Sequence, residues 1–509
     1  MTFRIVTTPL ASHVPLPVER QGGFPAALLA ACVRVPGHDA LLDRLLDPQV
    51  LAVTTGQQPA LFAGPMYTVH KALSAAALAQ ELERRWKRPV VPLFWIAGDD
   101  HDYAEANKAA WLSGGGEVEH GSLAPRDPSA PMRSLYREPL GPDIEELTAR
   151  LDASLPESEF HAPTMEWVRR HYRNGATISA AFGRALAEIL APFGIVCLDS
   201  THPDFKRAAA PHLLRALALA EELEAGLARR SAELVAGGQD PGVAVGGGAT
   251  LVMIDGAAGR DRLVRSGGEF VARRSQERFT LSALETVAAR EPDRLSANVL
   301  LRPAVESALL PTVAYAAGPG ELRYLALTPP VYERLGLLRQ TPVPRWSGMT
   351  VPAPVDRALE KFGLHLGDLA EPVAVLEAKV VRGRLPREAE ADLAALRNLL
   401  AERYDAVGVT AARIDPTLVR SVGGRRERAL AEVDHIERKL VTHLRRRMAV
   451  ELRQLARAHD AVFPDGAPQE RVLVVPSLLA AHGPGLLEAL LSAASGWYRG
   501  ALERSAAPA

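Results

Sequence analysis

The run VPLFWIAG (Val91–Gly98) ends in a glycine, and Asp99-Asp100-His101-Asp102 follows at once. Carboxylates beside an imidazole can move protons, hold an amine or ligate a metal. The metal reading is weak on ligand count. Consecutive residues of a strand or helix cannot all aim at one ion, and no second His-rich segment supplies the missing donors. As an acid/base centre, His101 with a neighbouring carboxylate to orient it is suited to accept a proton. The structural alternative is N-capping of the next helix by Asp99 or Asp100, which uses only one of the four. Gly98 permits a tight exit and close approach of a ligand.

A second chemical stretch is TGQQPALFAGPMYTVHK (Thr55–Lys71). It is neither GxGxxG nor a Walker loop. Gly64 is expected as a cap and Pro65 as the first helical residue, leaving first-turn amides open to an anion. Tyr67 and Lys71 are spaced to share a helix face, with His70 beside them, and Gln57 and Gln58 offer amides in the loop. A third stretch, AGPGELRY (Ala317–Tyr324), repeats the Gly-Pro pattern at Gly318-Pro319 and places Glu321 and Tyr324 on one face. Upstream, SANVLLRP contributes Asn298 and Arg302. Arg302 is either a fork for a carboxylate or phosphate or a structural partner of Glu306 one turn on. Asp199-Ser200-Thr201-His202-Pro203-Asp204 reads as structural capping. No Ser/His/Asp elbow or reactive-cysteine motif occurs.

These residues need elements to hold them. LAVTT (Leu51–Thr55) reads as a buried strand, Met66 to about Trp86 as a helix, and VVPLFWIA (Val90–Ala97) as a second strand with Pro92 as a blemish. That is a βαβ unit and implies a parallel sheet. GIVCLDS (Gly194–Ser200), TVAYAAGPGE (Thr312–Glu321) and the segment near Thr341–Val351 are further strand candidates. The expected fold is α/β, a doubly wound parallel core whose ligands sit beyond the carboxyl ends of the strands. Residues 1–350 form this core, with an irregular insertion near 112–165 and a β-hairpin insertion near 237–275 that turns at DGAAG. Residues 351–465 read as a helical domain. Leu430, Val433, Ile436, Leu440, Leu444, Met448, Leu452 and Leu455 recur at helical steps from Arg425 to Asp460, and Leu393, Leu396 and Leu400 mark an earlier helix from Pro386 to Tyr404. Joined near Gly423–Gly424, they suggest an antiparallel coiled coil and a dimer contact. Residues 466–509 are apolar again and are expected to return to the core.

Lys+Arg number 59 against 60 Asp+Glu, a net charge of −1, which gives no electrostatic case for nucleic acid or an anionic membrane as partner. No uncharged run approaches the roughly 20 residues of a membrane span. The segment MTFRIVTTPLASHVPLPVER lacks an unbroken apolar h-region, so a signal peptide is not expected. Cys32 and Cys197 lie in apolar contexts that suit buried thiols in a reducing compartment, and a cytoplasmic location is expected.

Four segments taken together, TTGQQPALFAGPMYTVHK, VPLFWIAGDDHDYAEAN, NVLLRPAVESALLPTVAYAAGPGELRY and TPVPRWSGMTV, resemble the bacillithiol biosynthesis cysteine-adding enzymes, in family order and over most of the chain. The resemblance implies a Rossmann-like core with connecting-peptide insertions and an α-helical coiled coil that makes a homodimer. It also implies a cysteine ligase that joins cysteine to glucosaminyl-malate in the last step of bacillithiol synthesis. Amide formation in water is uphill, so the cysteine carboxylate needs activation, most simply by ATP; ATP/ADP is the expected cofactor, with no metal. On this reading Asp100, His101 and Asp102 bind or deprotonate the glucosamine amine, and Lys71 and Arg302 hold malate or phosphate oxygens. The chain departs from the family at Asp99, where Glu is common, at Lys108, and in a short Ala-rich tail beyond Trp497. A metal-dependent hydrolase and a non-catalytic coiled-coil binding protein are the rival expectations.

Overall fold

Five apolar runs pair into one sheet: β1 (Leu51–Gln57), β2 (Val90–Ile96), β3 (Val196–Asp199), β4 (Thr312–Ala317) and β5 (Thr341–Pro344). Their order is β5-β4-β1-β2-β3, and every neighbouring pair is parallel. Alternate residues of β1 and β2 divide between two cores. Leu51, Val53, Phe94 and Ile96 face one side; Ala52, Val91, Leu93 and Trp95 face the other. With both faces buried, such strands read as continuous apolar runs, which is why β1 to β4 are visible in the sequence; of the stretch near Thr341–Val351 only Thr341–Pro344 joins this sheet, at its edge, and Gly348–Pro352 pairs with Phe3–Thr7 in another. Pro92 is tolerated because β3 pairs with β2 only from Leu93 onward, so Pro92 has a neighbour on one side alone.

The chain steps from β1 to β2 and β3 on one side, then returns to lay β4 and β5 on the other. The carboxyl ends of β1 and β4 therefore flank a crevice at the topological switch point. The connection from β1 to β2 runs through α1 (Tyr67–Trp86), whose Ala72, Ala75, Ala76 and Ala79 are buried and let it lie close to the sheet. It ends at Lys87, which takes a left-handed conformation with φ 55°.

The computed structural model describes residues 3–11 and 13–506. Met1–Thr350 and Pro468–Ala509 make one compact unit, and Val351–Ala467 make a second. In the first, the segment between β2 and β3 is more regular than its Gly, Pro and Ser content suggests. It contains a hairpin, Lys108–Leu112 with Val118–Ser122, and the helices Asp143–Ser154 and His161–His171. The first helix has Asp143, Glu145 and Glu146 in its opening turn and buries Ile144, Leu147 and Leu151. The expectation of an irregular insertion is corrected by that acidic start and three- and four-residue spacing. Between β3 and β4 come α2 (Pro203–Ala218) and a five-stranded antiparallel sheet. Ala249–Gly256 and Gly259–Ser266 form the expected hairpin within it, closing where Gly256 pairs with Gly259. Leu295–Ala297 joins the sheet as an edge strand that the sequence left as loop. It leads into α3 (Arg302–Leu309), β4 and α4 (Pro319–Leu325).

The second unit is helical. Its two longest helices, α5 (Arg387–Ile414) and α6 (Leu418–Arg447), run antiparallel, tied by Arg397 to Asp434 and Glu437 and by Arg426 to Asp405. The turn lies at Asp415–Thr417, not at Gly423–Gly424. Asp415 accepts from the Thr417 amide and hydroxyl at 2.8 Å, and Pro416 cannot continue α5. Gly423 and Gly424 sit inside α6 at a cost of about 1 kcal/mol each relative to Ala. The long periodic stretch is also broken at Met448, after which Ala449–Val462 forms a separate helix.

Candidate functional site

A cavity of about 1030 Å³ opens over the carboxyl ends of β1, β2 and β4, and its floor is a fixed ionic network. Lys71, in the second turn of α1, is buried and reaches the Gly56 carbonyl, Gln57 Oε1 at 3.2 Å and Glu321 Oε2 at 2.7 Å. All three ammonium protons thus have acceptors. Glu321 also accepts from the Tyr315 hydroxyl at 2.7 Å and from the Gly318 amide at 2.8 Å. Burial lowers the Lys71 ammonium below its ordinary value, against the pull of Glu321. Burial alone would raise the Glu321 carboxyl, but Lys71 outweighs it and holds Glu321 below the usual range. Gln57 Nε2 in turn donates to the Tyr67 hydroxyl at 3.1 Å.

Arg302 lies over the rings of Tyr315 at 4.8 Å and Trp95 at 5.6 Å. Its Nη1 pairs with buried Glu306 at 2.6 Å, whereas Nη2 has no hydrogen-bond partner. Arg302 is thus the structural partner of Glu306 through one nitrogen and has an unpaired donor on the other. Tyr324 and Asn298 line the same cavity. Asn298 Oδ1 also caps the Leu300 and Leu301 amides at 3.0 Å.

The cavity wall also carries the acidic tip of β2. Asp99 is held by Lys206 of α2 at 2.5 Å, and Lys206 also donates to the Leu295 carbonyl at 3.1 Å. Asp100 Oδ1 closes the turn by accepting from the His101 amide at 2.6 Å and the Asp102 amide at 3.0 Å. Arg260, from the antiparallel insertion, donates from Nη1 to His101 Nδ1 at 3.2 Å, from Nε to Ser296 and from Nη2 to the Ala297 carbonyl. A guanidinium can only donate, so His101 Nδ1 accepts and its proton sits on Nε2. Burial, then Arg260, lower the His101 ring below the ordinary value. The geometry makes His101 a hydrogen-bond donor to a ligand. This corrects the expectation of a proton acceptor.

The family models that match are the N-terminal Rossmann-like domain of bacillithiol biosynthesis BshC, over residues 32–345, and its C-terminal coiled-coil domain, over residues 348–496. The chain belongs to the BshC family. Three relatives share the name "Putative cysteine ligase BshC". The one from Koribacter versatilis is 32% identical, covering 94% of this chain and 86% of its own. Those from Salinibacter ruber and Solibacter usitatus are each 32% identical, covering 88% and 90% of this chain and 82% and 85% of theirs.

Within this BshC family member, Gln57, Gln58, Tyr67, Lys71, Asp99, Asp100, His101, Asn298, Arg302, Gly318, Glu321 and Tyr324 all line the cavity. Gly64, His70 and Asp102 do not. Gly64 precedes Pro65, which bridges to Val474, and the Met66 amide donates to the Leu473 carbonyl at 2.9 Å. The helix therefore starts at Tyr67, and the amide expected to meet an anion is spent on the chain's own C-terminal segment. Gly318 does cap α4, but the Glu321 carboxylate already takes its amide. His70 is turned away onto Glu470, at 2.6 Å, and against the Trp346 ring. Asp102 caps the short helix Tyr103–Ala106 by accepting from the Glu105 amide. Gly98 makes room for protein, not ligand: a Cβ there would lie 2.7 Å from Ser179 Oγ and 2.8 Å from Thr201 Cγ2.

Several lining residues were not found by sequence reasoning. Lys206, Arg260, Arg345 and Arg471 come from segments distant in the chain. Tyr315 had a local signal, a hydroxyl inside the small-residue strand TVAYAA, because a buried tyrosine hydroxyl needs a partner. The Asp199 loop is capping as expected, with Thr201 donating to Asp199 and the Asp204 amide to His202. Both cysteines are buried. Among the described residues no three His, Cys, Asp or Glu side chains are grouped to hold a metal, and no helix is long and apolar enough to cross a membrane.

Proposed function

We propose that this protein is a cysteine ligase that joins the cysteine carboxylate to the glucosamine amine of glucosaminyl-malate, the last step of bacillithiol synthesis. The observation that carries the reading is that the switch-point cavity is lined both by an unpaired guanidinium donor, Arg302 Nη2 on an aromatic bed, and by acidic side chains fit to receive an amine. A carboxylate-bearing substrate and an amine-bearing one are thereby drawn to one space, which lowers the entropic barrier to joining them. His101 Nε2–H and the Tyr324 hydroxyl are donors for sugar oxygens or for the charge that develops on the carbonyl oxygen. Lys71 sets the cavity floor and does not itself hold malate or phosphate, because its donors are used. Lys108 and Arg471 at the cavity wall supply positive charge for the malate carboxylates.

Because the amide is uphill in water, the cysteine carboxylate is activated by ATP before attack. The test is incubation with cysteine, glucosaminyl-malate and nucleotides, with the product read by mass. Bacillithiol that appears only with a nucleoside triphosphate supports the proposal. Product formed equally well without nucleotide overturns the activation step, and no product overturns the ligase reading.

We also infer a homodimer through the helical unit. Leu396, Leu399, Ile436 and Leu440 on α5 and α6 are exposed in the single chain, and pairing of two copies would cover them. The double substitution Ile436→Glu and Leu440→Glu is expected to halve the mass measured by light scattering. An unchanged dimer would place the contact elsewhere.

A further inference from the structure

An amine that attacks an activated carboxyl must lose a proton, and a lining carboxylate held neither in an ion pair nor on its own backbone is suited to take it. His101 is excluded by its tautomer, since Arg260 occupies Nδ1. Three of the four lining carboxylates are already engaged. Asp99 is paired with Lys206, Asp100 closes its own turn on two amides, and Glu321 is shared by Lys71, Tyr315 and the Gly318 amide. Glu105 is the fourth. It lines the cavity and is in no ion pair among the described residues; the group that meets its carboxylate is the neutral Gln58 side-chain amide. It stands on the first turn of the helix Tyr103–Ala106, whose cap Asp102 fixes the Glu105 amide at 3.0 Å. That cap holds the backbone under the side chain.

We propose that Glu105 is the general base that takes the proton from the glucosamine amine as it attacks. The inference rests on the ligase reading above. In the step, the amine nitrogen forms a C–N bond to the carboxyl carbon of nucleotide-activated cysteine. The C–O bond to the phosphate or nucleotide leaving group breaks, the leaving group keeps the electron pair, and the amine proton passes to a Glu105 oxygen. The surroundings favour this role. Burial, then the charges of Asp102 and Asp100, raise the Glu105 carboxyl above the ordinary value and make it a stronger base than a solvated glutamate.

The test compares Glu105→Gln and Glu105→Ala with wild type, using cysteine, glucosaminyl-malate and ATP. Glu105→Gln is expected to lower kcat by roughly 100-fold or more, with KM for both substrates within about 3-fold. Formate, a small carboxylate able to enter the vacated space, is expected to restore part of the Glu105→Ala rate. A kcat within about 3-fold of wild type in Glu105→Gln, or a Glu105→Ala loss that formate leaves untouched, overturns the base role while the ligase reading stands. Absence of product from wild type overturns both.

Discussion

Glu470→Ala is expected to cost about 3–5 kcal/mol of folding stability, read as a lower urea midpoint at unchanged slope. Glu470 is buried and takes a bidentate pair from Arg345, at 2.5 and 2.9 Å, while His70 Nδ1 meets it at 2.6 Å. Arg345 is itself buried, so removing the carboxylate leaves a guanidinium without its counter-charge out of water. The same side chain holds the segment Gln469–Val474, which is stitched to the core by Gln469 on Thr350, by Leu473 on Met66 and by Val474 on Ala110. Arg471 and Val474 of that segment form cavity wall, so the variant is expected to weaken substrate binding as well. The pH dependence has a definite sign. Burial would raise the Glu470 carboxyl, but His70 and Arg345 outweigh it and hold it well below the usual carboxylate range. A depressed folded value gives stability that is present above the unfolded value of about 4.3 and is lost as pH falls from there toward the folded value. Wild type and Glu470→Ala should therefore converge in acid. A constant gap down to the acid transition would show that the carboxylate charge is not the source. Arg345→Ala combined with Glu470→Ala should cost less than the sum of the two, since the second change removes the orphan left by the first.

Lys71→Met is expected to reduce kcat/KM for cysteine addition by roughly 100-fold, the scale of a displacement of about 1 Å in an aligned site. The ammonium satisfies three acceptors from three places: the end of β1, the loop side chain Gln57, and Glu321 of α4. Methionine fills the volume but leaves buried Glu321 without its ion pair, held only by the Tyr315 hydroxyl on one oxygen and the Gly318 amide on the other. Glu321 would then take up a proton or turn toward solvent, and the Arg302 bed on Tyr315 would shift with it. Lys71→Arg should not rescue, because a planar fork cannot present three protons from one point. Steady-state kinetics of both variants decide the matter. A wild-type rate in Lys71→Met would mean that the floor of the cavity does not position the substrates.

Local pattern determined a good deal of this protein. Continuous apolar runs bounded by turns marked four strands of the parallel sheet, because strands buried on both faces carry no alternation to hide them; the short edge strand Thr341–Pro344 was found only as part of a longer stretch. The loops after β1, β2 and β4 were picked out because ligands meet such sheets at their carboxyl ends, and most of the residues chosen there do line one cavity. The resemblance carried by those loops agrees with the family models that match the chain. What local pattern could not give was the state of each side chain, since that depends on partners far away in sequence. His70 looked like a neighbour of Lys71 on one helix face, yet its partner Glu470 lies 400 residues on and draws it away from the cavity. His101 looked like a base beside its aspartates until Arg260, 159 residues later, took its free lone pair. Lys71 looked like an anion clamp until folding gave each of its protons an acceptor. The sequence by itself determined which strand ends would meet and which chemical groups they would bring. Only the tertiary structure decided which of those groups remain free, because hydrogen-bond capacity is finite and long-range partners use it up.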